Sequence, residues 1–327
     1  MSNRIDKPKK SAAQLVKDMR DNRGITFKYI NESAAAQYLA DVNNYLRTAA
    51  FRNNYEKYQR GANQGKYIDL DFLCLQELST LDMHYRFLVE KMCSDIEHAI
   101  CVQLIRDIEV DPTTDGYDIV NQFLSQNPFV IKKIADTISS PHTGELIRKY
   151  FTVVTSTAAN GKTYNRITAY NDCPAWVLVE IMSFGSLAHF YDFYYRSRHR
   201  ACISSSIINM VRSLRNAAAH NNCILYDLHP LTSVAHGGLN NYIKVNVPSI
   251  TKSQRSKRLK SRPLLEFVAL IYMYDKIVFG KVRNHRIEEI KELFEVRMLE
   301  KKELLKRNAL LTESYKFAYE VIKCILL

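Results

Sequence analysis

The feature that most constrains the fold is the stretch opened by Asp69-Leu70-Asp71. Leu78, Leu81, Tyr85, Leu88, Met92, Ile96 and Ala99 follow one another at the 3.6-residue period of a helix. Acidic residues in the first turn suit the helix dipole, and Asp111-Pro112 supplies a stop after about Arg106. A helix this long needs partners along its whole apolar face, which points to a helical core. Only 10 Gly and 8 Pro occur in 327 residues. That is too few turn signals for an all-β chain, and no internal repeat is evident. The expectation is an all-α protein: an N-terminal helical segment over residues 1–65, then a larger helical domain over 66–327.

Other elements read from local signals. Residues 1–10 are polar and expected to be mobile. Ser11 is a helix N-cap for a first helix through Arg20, ended by Asn22-Arg23-Gly24. Glu32 to Tyr58 reads as one helix with Ala34, Tyr38, Val42 and Tyr45 on its inner face, and 61–65 as a loop. Asn127-Pro128 splits two short helices, Asp118–Ser125 and Phe129–Ile138. Residues 141–170 are rich in Thr, Ser, Tyr and Gly, and Asn160-Gly161 is a hairpin-type turn. This stretch is expected to be an irregular insert or a small hairpin. Cys173-Pro174 starts a helix carrying Trp176, Val177, Val179 and Ile181, and Gly185 invites a close approach. A loop is expected across His229-Pro230 and Gly237-Gly238, then helices over Pro263–Ile277 and Val282–Ile325.

The chemistry lies in Val211-Arg-Ser-Leu-Arg-Asn-Ala-Ala-Ala-His220, at the end of a helix whose Ile207, Met210, Val211 and Leu214 point inward. Asn216 and His220 are four residues apart and share a face. Arg215 points roughly 140° away round an ideal helix and must reach back. Ala217, Ala218 and Ala219 put no bulk between them, so a second helix could come close. Histidine moves protons near neutral pH, arginine is a permanent planar cation matched to phosphate oxygens, and asparagine orients either. The set suits cleavage of RNA through attack by its own 2′-hydroxyl, with no metal or other cofactor required; DNA lacks that nucleophile. The bland alternative is a solvated helix end. No other histidine has an arginine five or seven positions upstream.

Charge supports a polyanionic partner. The net charge is +12. Arg196, Arg198 and Arg200 cluster ahead of the motif helix, and Arg212 lies on it. Lys252, Arg255, Lys257, Arg258, Lys260 and Arg262 come later in the chain with no acid among them. These ten are the candidate RNA contacts; a solvated flexible loop is the competing reading of the second group. The 20 tyrosines are better read as core than as base-stacking residues. Seven cysteines, odd in number and without a C-x-x-C pair, indicate free and mostly buried thiols in a reducing compartment, and no zinc site. No signal peptide or bilayer-length apolar run is evident, so a cytoplasmic location without a membrane is expected.

The motif resembles the R-x4-6-H signature of the HEPN superfamily. The chain as a whole more closely resembles the Abi family of abortive-infection proteins, of the AbiD/AbiF type. The resemblance rests on Asn44-Tyr45-Leu46-Arg47, on Leu70-Asp71-Phe72 through Leu81-Asp82, and on Ile96-Glu97-His98. Pro174-Ala-Trp176 with Ser183-Phe184-Gly185 and the Arg-Asn…His stretch continue it in order. It departs where many members carry Cys-Ala and this chain has Ala218-Ala219, and it does not extend to the insert or to residues 252–262. The resemblance implies a HEPN-like bundle and an anti-phage endoribonuclease. It further implies a homodimer that joins two motifs through the motif helix, and a small structured non-coding RNA as regulator or partner. Two alternatives stay open: a non-catalytic protein of the same fold in which Arg215 and His220 clamp phosphate, and a basic DNA- or protein-binding regulator.

Overall fold

The computed structural model describes residues 8–170, 172–230 and 236–327. The stretch 1–7 and the middle of the loop expected before Gly237 lie outside them. The chain is 64% helical with a single two-stranded sheet among the described residues, so the all-α expectation holds. No helix of the described residues is long and apolar enough to cross a membrane. The described residues form two compact units, one from residues 8–93 with those of 213–327 and one from residues of 94–212. They divide the chain elsewhere than at the expected boundary after residue 65.

In the first unit, α1 (Ala12–Asp21) starts at Ser11, which forms a capping box with Gln14. The helix expected over Glu32–Tyr58 is broken into α2 (Glu32–Gln37), a π-turn (Tyr38–Val42), α3 (Tyr45–Ala50) and a 3-10 turn (Phe51–Asn54). Asn43 is extended, and Asn44 caps α3 by accepting from the Arg47 amide. The break shifts the inner face: Ala35 and Leu39 are buried, whereas Val42 is 73% exposed. The long helix α4 runs Phe72–Glu109. Asp71 begins it, accepting from the Leu73 amide while also bonding Thr26 and Lys28. Leu78, Leu81, Tyr85, Leu88, Met92 and Ile96 are buried as the period requires; Ala99 is half-buried and Ile100 is buried.

The C-terminal part of this unit holds α11 (Gly237–Asn246), α12 (Lys252–Arg258), α13 (Arg262–Ile277), α14 (Gly280–Lys291), α15 (Lys302–Leu305) and α16 (Ala309–Ile325). Gly237 and Gly238 therefore open a helix, with His236 as its cap, where a loop was expected. The expected helix over Val282–Ile325 breaks at a π-turn, Glu292–Arg297, and at the turn before α15.

The second unit contains α5 (Asp118–Gln126), α6 (Pro128–Asp136), α7 (Gly144–Tyr150), α8 (Ala175–Ile181) and α9 (Phe184–Ser197). Phe123 and Phe190, with ring centroids 4.9 Å apart, sit at its centre. The insert is a helix, α7, joined to an antiparallel hairpin, β1 (Thr152–Thr157) and β2 (Thr163–Ala169), turned at Gly161 with φ +77°. Trp176 is 47% exposed and packs edge-on against Tyr117. Cys74, Cys93 and Cys173 are buried, but Cys202 and Cys324 are exposed; all seven are free thiols.

Candidate functional site

The motif helix is α10 (Ser205–Ala219). Ile207, Ile208, Val211, Leu214 and Ala218 bury one face. The opposite stripe carries Ser213, Asn216 and His220 at i, i+3 and i+7, and both Asn216 and His220 are exposed. Amphipathicity therefore turns these two polar side chains outward without any special device. Arg215 is half-buried, and its Nη1 donates to Asn216 Oδ1 at 3.3 Å. The arginine thus leans toward the asparagine side, as its spacing demanded.

The helix end is built around Asn221. Its φ of +56° places it in the left-handed region, which asparagine tolerates better than most residues. The amide of Asn221 donates to Ala218 O at 2.9 Å and that of Asn222 to Ala217 O at 2.8 Å. This is a Schellman arrangement with asparagine in glycine's usual place, and His220 is the capping residue. The alanines supply the carbonyls that close it.

The chain beyond the helix end, from Cys223 to Leu228, is tied down firmly. Asp82 of α4 is fully buried, and its Oδ1 accepts from the amides of Ile224 at 2.8 Å and Leu225 at 2.7 Å. Its other oxygen pairs with the buried Arg86 one turn on. Burial pushes the Asp82 carboxyl above its usual range, against the pull of those amides and of Arg86. Buried Asn54 donates to Leu225 O at 2.9 Å and accepts from the Leu228 amide at 2.9 Å. Cys223 Sγ lies 3.9 Å from Arg47 O. The sequence does not single out Asp82 or Asn54 as anchors. The available signal was Asp82 beside the Leu78–Leu81–Tyr85 stripe with an arginine four residues on.

The candidate RNA contacts separate by environment. Arg255 and Arg258 are each 8% exposed. Arg255 bonds Asn240 Oδ1 and Ile250 O, both at 2.9 Å, and Arg258 bonds Ser314 Oγ at 3.3 Å. Both were expected as phosphate contacts; in the structure their guanidiniums are buried and hold α12 against α11 and α16. The run is also mostly helical: Lys252–Arg258 form α12, Lys260 lies in the turn that follows, and Arg262 opens α13. Lys252, Lys257 and Lys260 are exposed. Arg262 is exposed too, pairs with Glu266 at 2.9 Å and donates from Nη2 to Ser213 Oγ at 2.9 Å. That contact brings a cation to the stripe that carries Asn216 and His220.

In the second unit, Arg196 is exposed and pairs with Asp192, and exposed Arg200 reaches the Tyr194 hydroxyl. Arg198 differs: its side chain, 17% exposed, pairs at 2.8 Å with Asp111, which is 2% exposed. This removes Arg198 from the freely presented cations. Burial opposes ionisation of Asp111, but bonds from Thr113 and Arg198 prevail and hold its carboxyl well below the usual range. Arg212 lies against Gly185, where an added Cβ would sit 3.0 Å from Arg212 Nη1, so the expected close approach is made by a guanidinium.

Among the described residues no group of three or more His, Cys, Asp or Glu could hold a metal ion. A family model described as Abi-like protein matches residues 37–226, more than half of the chain. The matched span runs from α2 through Asp82 and the motif to the anchored segment, and leaves out the basic helix α12. No curated protein and no solved structure gives a significant match.

Proposed function

Starting from the premise that this chain belongs to the Abi-like protein family, we propose that it is a HEPN-type, metal-independent endoribonuclease of abortive-infection defence. Membership supports abortive infection and defence in general; the ribonuclease activity is our reading of the site. The observation that carries it is the pairing of exposed Asn216 and His220 on one stripe with Arg215 hydrogen-bonded to Asn216. In this reading Arg215 and Asn216 hold the non-bridging phosphate oxygens. The 2′-oxygen bonds to phosphorus as the bond from phosphorus to the 5′-oxygen breaks. One histidine takes the 2′-hydroxyl proton, and a second supplies the proton that the 5′-oxygen needs. His220 of a second copy fills the second role, so the proposed working form is a homodimer meeting along α10. The products are a 2′,3′-cyclic phosphate and a 5′-hydroxyl.

The net charge of +12 and the exposed Lys252, Lys257, Lys260 and Arg262 support RNA as the bound partner, as substrate or as a small structured regulator. The test is incubation with RNA in EDTA. Cleavage leaving a cyclic phosphate, lost in His220→Ala and in Arg215→Ala, is the expected result. Cleavage unchanged in His220→Ala overturns the site. Tight binding without cleavage under any condition would replace the enzyme with a phosphate clamp built from the same residues.

A further inference from the structure

The first unit contains an apolar cavity of about 340 Å³ that plays no part in the proposed cleavage. Its inner wall is Leu78, Leu81 and Tyr85 of α4, Leu225 and Leu228 after the motif, and Phe267 of α13. Met298, Leu299 and Leu305 cover it. The cover lies where the helical run breaks up, just past the π-turn at Glu292–Arg297. Such π-turns concentrate at functional sites, and methionine adapts its shape to an occupant.

Size and charge together define what fits. Protein interiors pack to the density of organic crystals, and an apolar cavity of about 150 Å³ already suffices to take up benzene. This one is more than twice that volume and falls within the range of small-molecule sites. The exposed charged lining residues mark the mouth, with exposed Leu299 beside them: Lys302, Glu303, Lys306 and Lys316. Glu303 is neutralised by Lys306, and Lys316 pairs with Glu313 at 2.9 Å. Lys302 makes no ion pair among the described residues. The mouth thus keeps a net positive charge, with the Lys302 ammonium acting on the Glu303 carboxylate but held in no close ion pair, beside an apolar chamber.

We infer that this cavity is a binding site for a small amphipathic anion: an apolar body seated against Leu78, Tyr85 and Phe267, with an acidic group at Lys302. Neither the cleavage reading nor its residues are needed for this site. Dodecanoate is the probe, titrated calorimetrically into the full-length chain below its micelle concentration, with dodecanol as the uncharged control. The expected result is one dodecanoate per chain and at least tenfold weaker binding of dodecanol. Lys302→Glu, at an exposed position, is expected to weaken dodecanoate at least tenfold. Leu299→Trp fills the cover side and is expected to abolish binding, with folding verified by circular dichroism. No binding by the unmodified chain overturns the proposal. So does binding unchanged in Leu299→Trp, which would place the ligand elsewhere, or binding unchanged in Lys302→Glu, which would remove the anion preference.

Discussion

Replacing Asp82 by alanine is the sharpest test of how the motif helix is held. The side chain is 0% exposed, and one carboxylate serves three partners: the amides of buried Ile224 and half-buried Leu225 and the guanidinium of buried Arg86. Alanine leaves the two amide donors without an acceptor, at about 1–3 kcal/mol each. It also leaves Arg86 as an uncompensated buried cation, and breaking a buried pair costs about 3–5 kcal/mol. Arg86 Nε lacks a hydrogen-bond partner even with Asp82 in place. These costs overlap as the site relaxes, and a net loss of about 4–6 kcal/mol is expected. That is comparable to the whole stability of a marginal domain, about 5–15 kcal/mol.

Asp82→Asn separates the two contributions. The carboxamide oxygen still accepts from the amides, but its NH2 faces Arg86 where the second carboxylate oxygen was, so the ion pair alone is lost, and a cost of about 3–5 kcal/mol is expected. Urea unfolding measures both variants, and hydrogen exchange at Ile224 and Leu225 reports the local effect. These amides should exchange faster in Asp82→Ala than in Asp82→Asn. A loss below about 1.5 kcal/mol in Asp82→Ala, or equal losses in the two variants, would refute the reasoning. Pairing Asp82→Leu with Arg86→Met should cost less than Asp82→Ala alone, because no charge is then stranded.

Three further outcomes are expected. Asp111 has a depressed folded-state pKa, so its contribution is present above the unfolded carboxyl value of about 3.9 and is lost as pH falls below it; acid unfolding should show a steeper loss between about pH 4 and pH 2 in the unmodified protein than in Asp111→Asn. Asn221→Gly should leave stability within a few tenths of a kcal/mol or raise it slightly, whereas Asn221→Val at φ +56° should cost about 1–2 kcal/mol, read by thermal unfolding. Neutralising Lys252, Lys257 and Lys260 should flatten the salt dependence of RNA binding by about 0.7–0.9 per lost phosphate contact with no change in stability; Arg258→Gln should instead lower the unfolding midpoint, since its guanidinium is buried on Ser314.

Elements governed by neighbours in sequence were legible. The period from Leu78 to Ile96, the Ser11 cap, the Asn127-Pro128 split and the Asn160-Gly161 turn each depend on residues within a few positions of one another. The shared face of Asn216 and His220 came from four-residue spacing for the same reason, and the structure adds that this face is exposed. Glu32–Tyr58 failed because apolar spacing concealed two asparagines with stronger local demands. Asn43 spends its side chain on Tyr38 and Ser79, and Asn44 restarts the helix by capping it. The anchors at Asp82 and Asn54 were out of reach because their partners lie more than 140 residues away, at Ile224 and Leu225.

The basic run shows most clearly what a count of charges leaves out. Six cations in eleven residues read as one surface only if the backbone is a loop. On a helix each residue turns about 100°, so Arg255 and Arg258, three apart, share a face, while Lys257 points elsewhere. α12 turns the arginine face inward, where long side chains reach Asn240, Ile250 and Ser314. The lysines remain outside, consistent with the stronger hydration of an ammonium and the ease with which a planar guanidinium satisfies several acceptors at once. Arg262 begins the next helix and turns to Ser213 on the motif stripe. The same run therefore supplies structural arginines, solvent-facing lysines and one cation beside Asn216 and His220. Arg262 is consequently the member of the run whose removal should weaken the proposed phosphate binding most, which RNA binding by Arg262→Gln would measure.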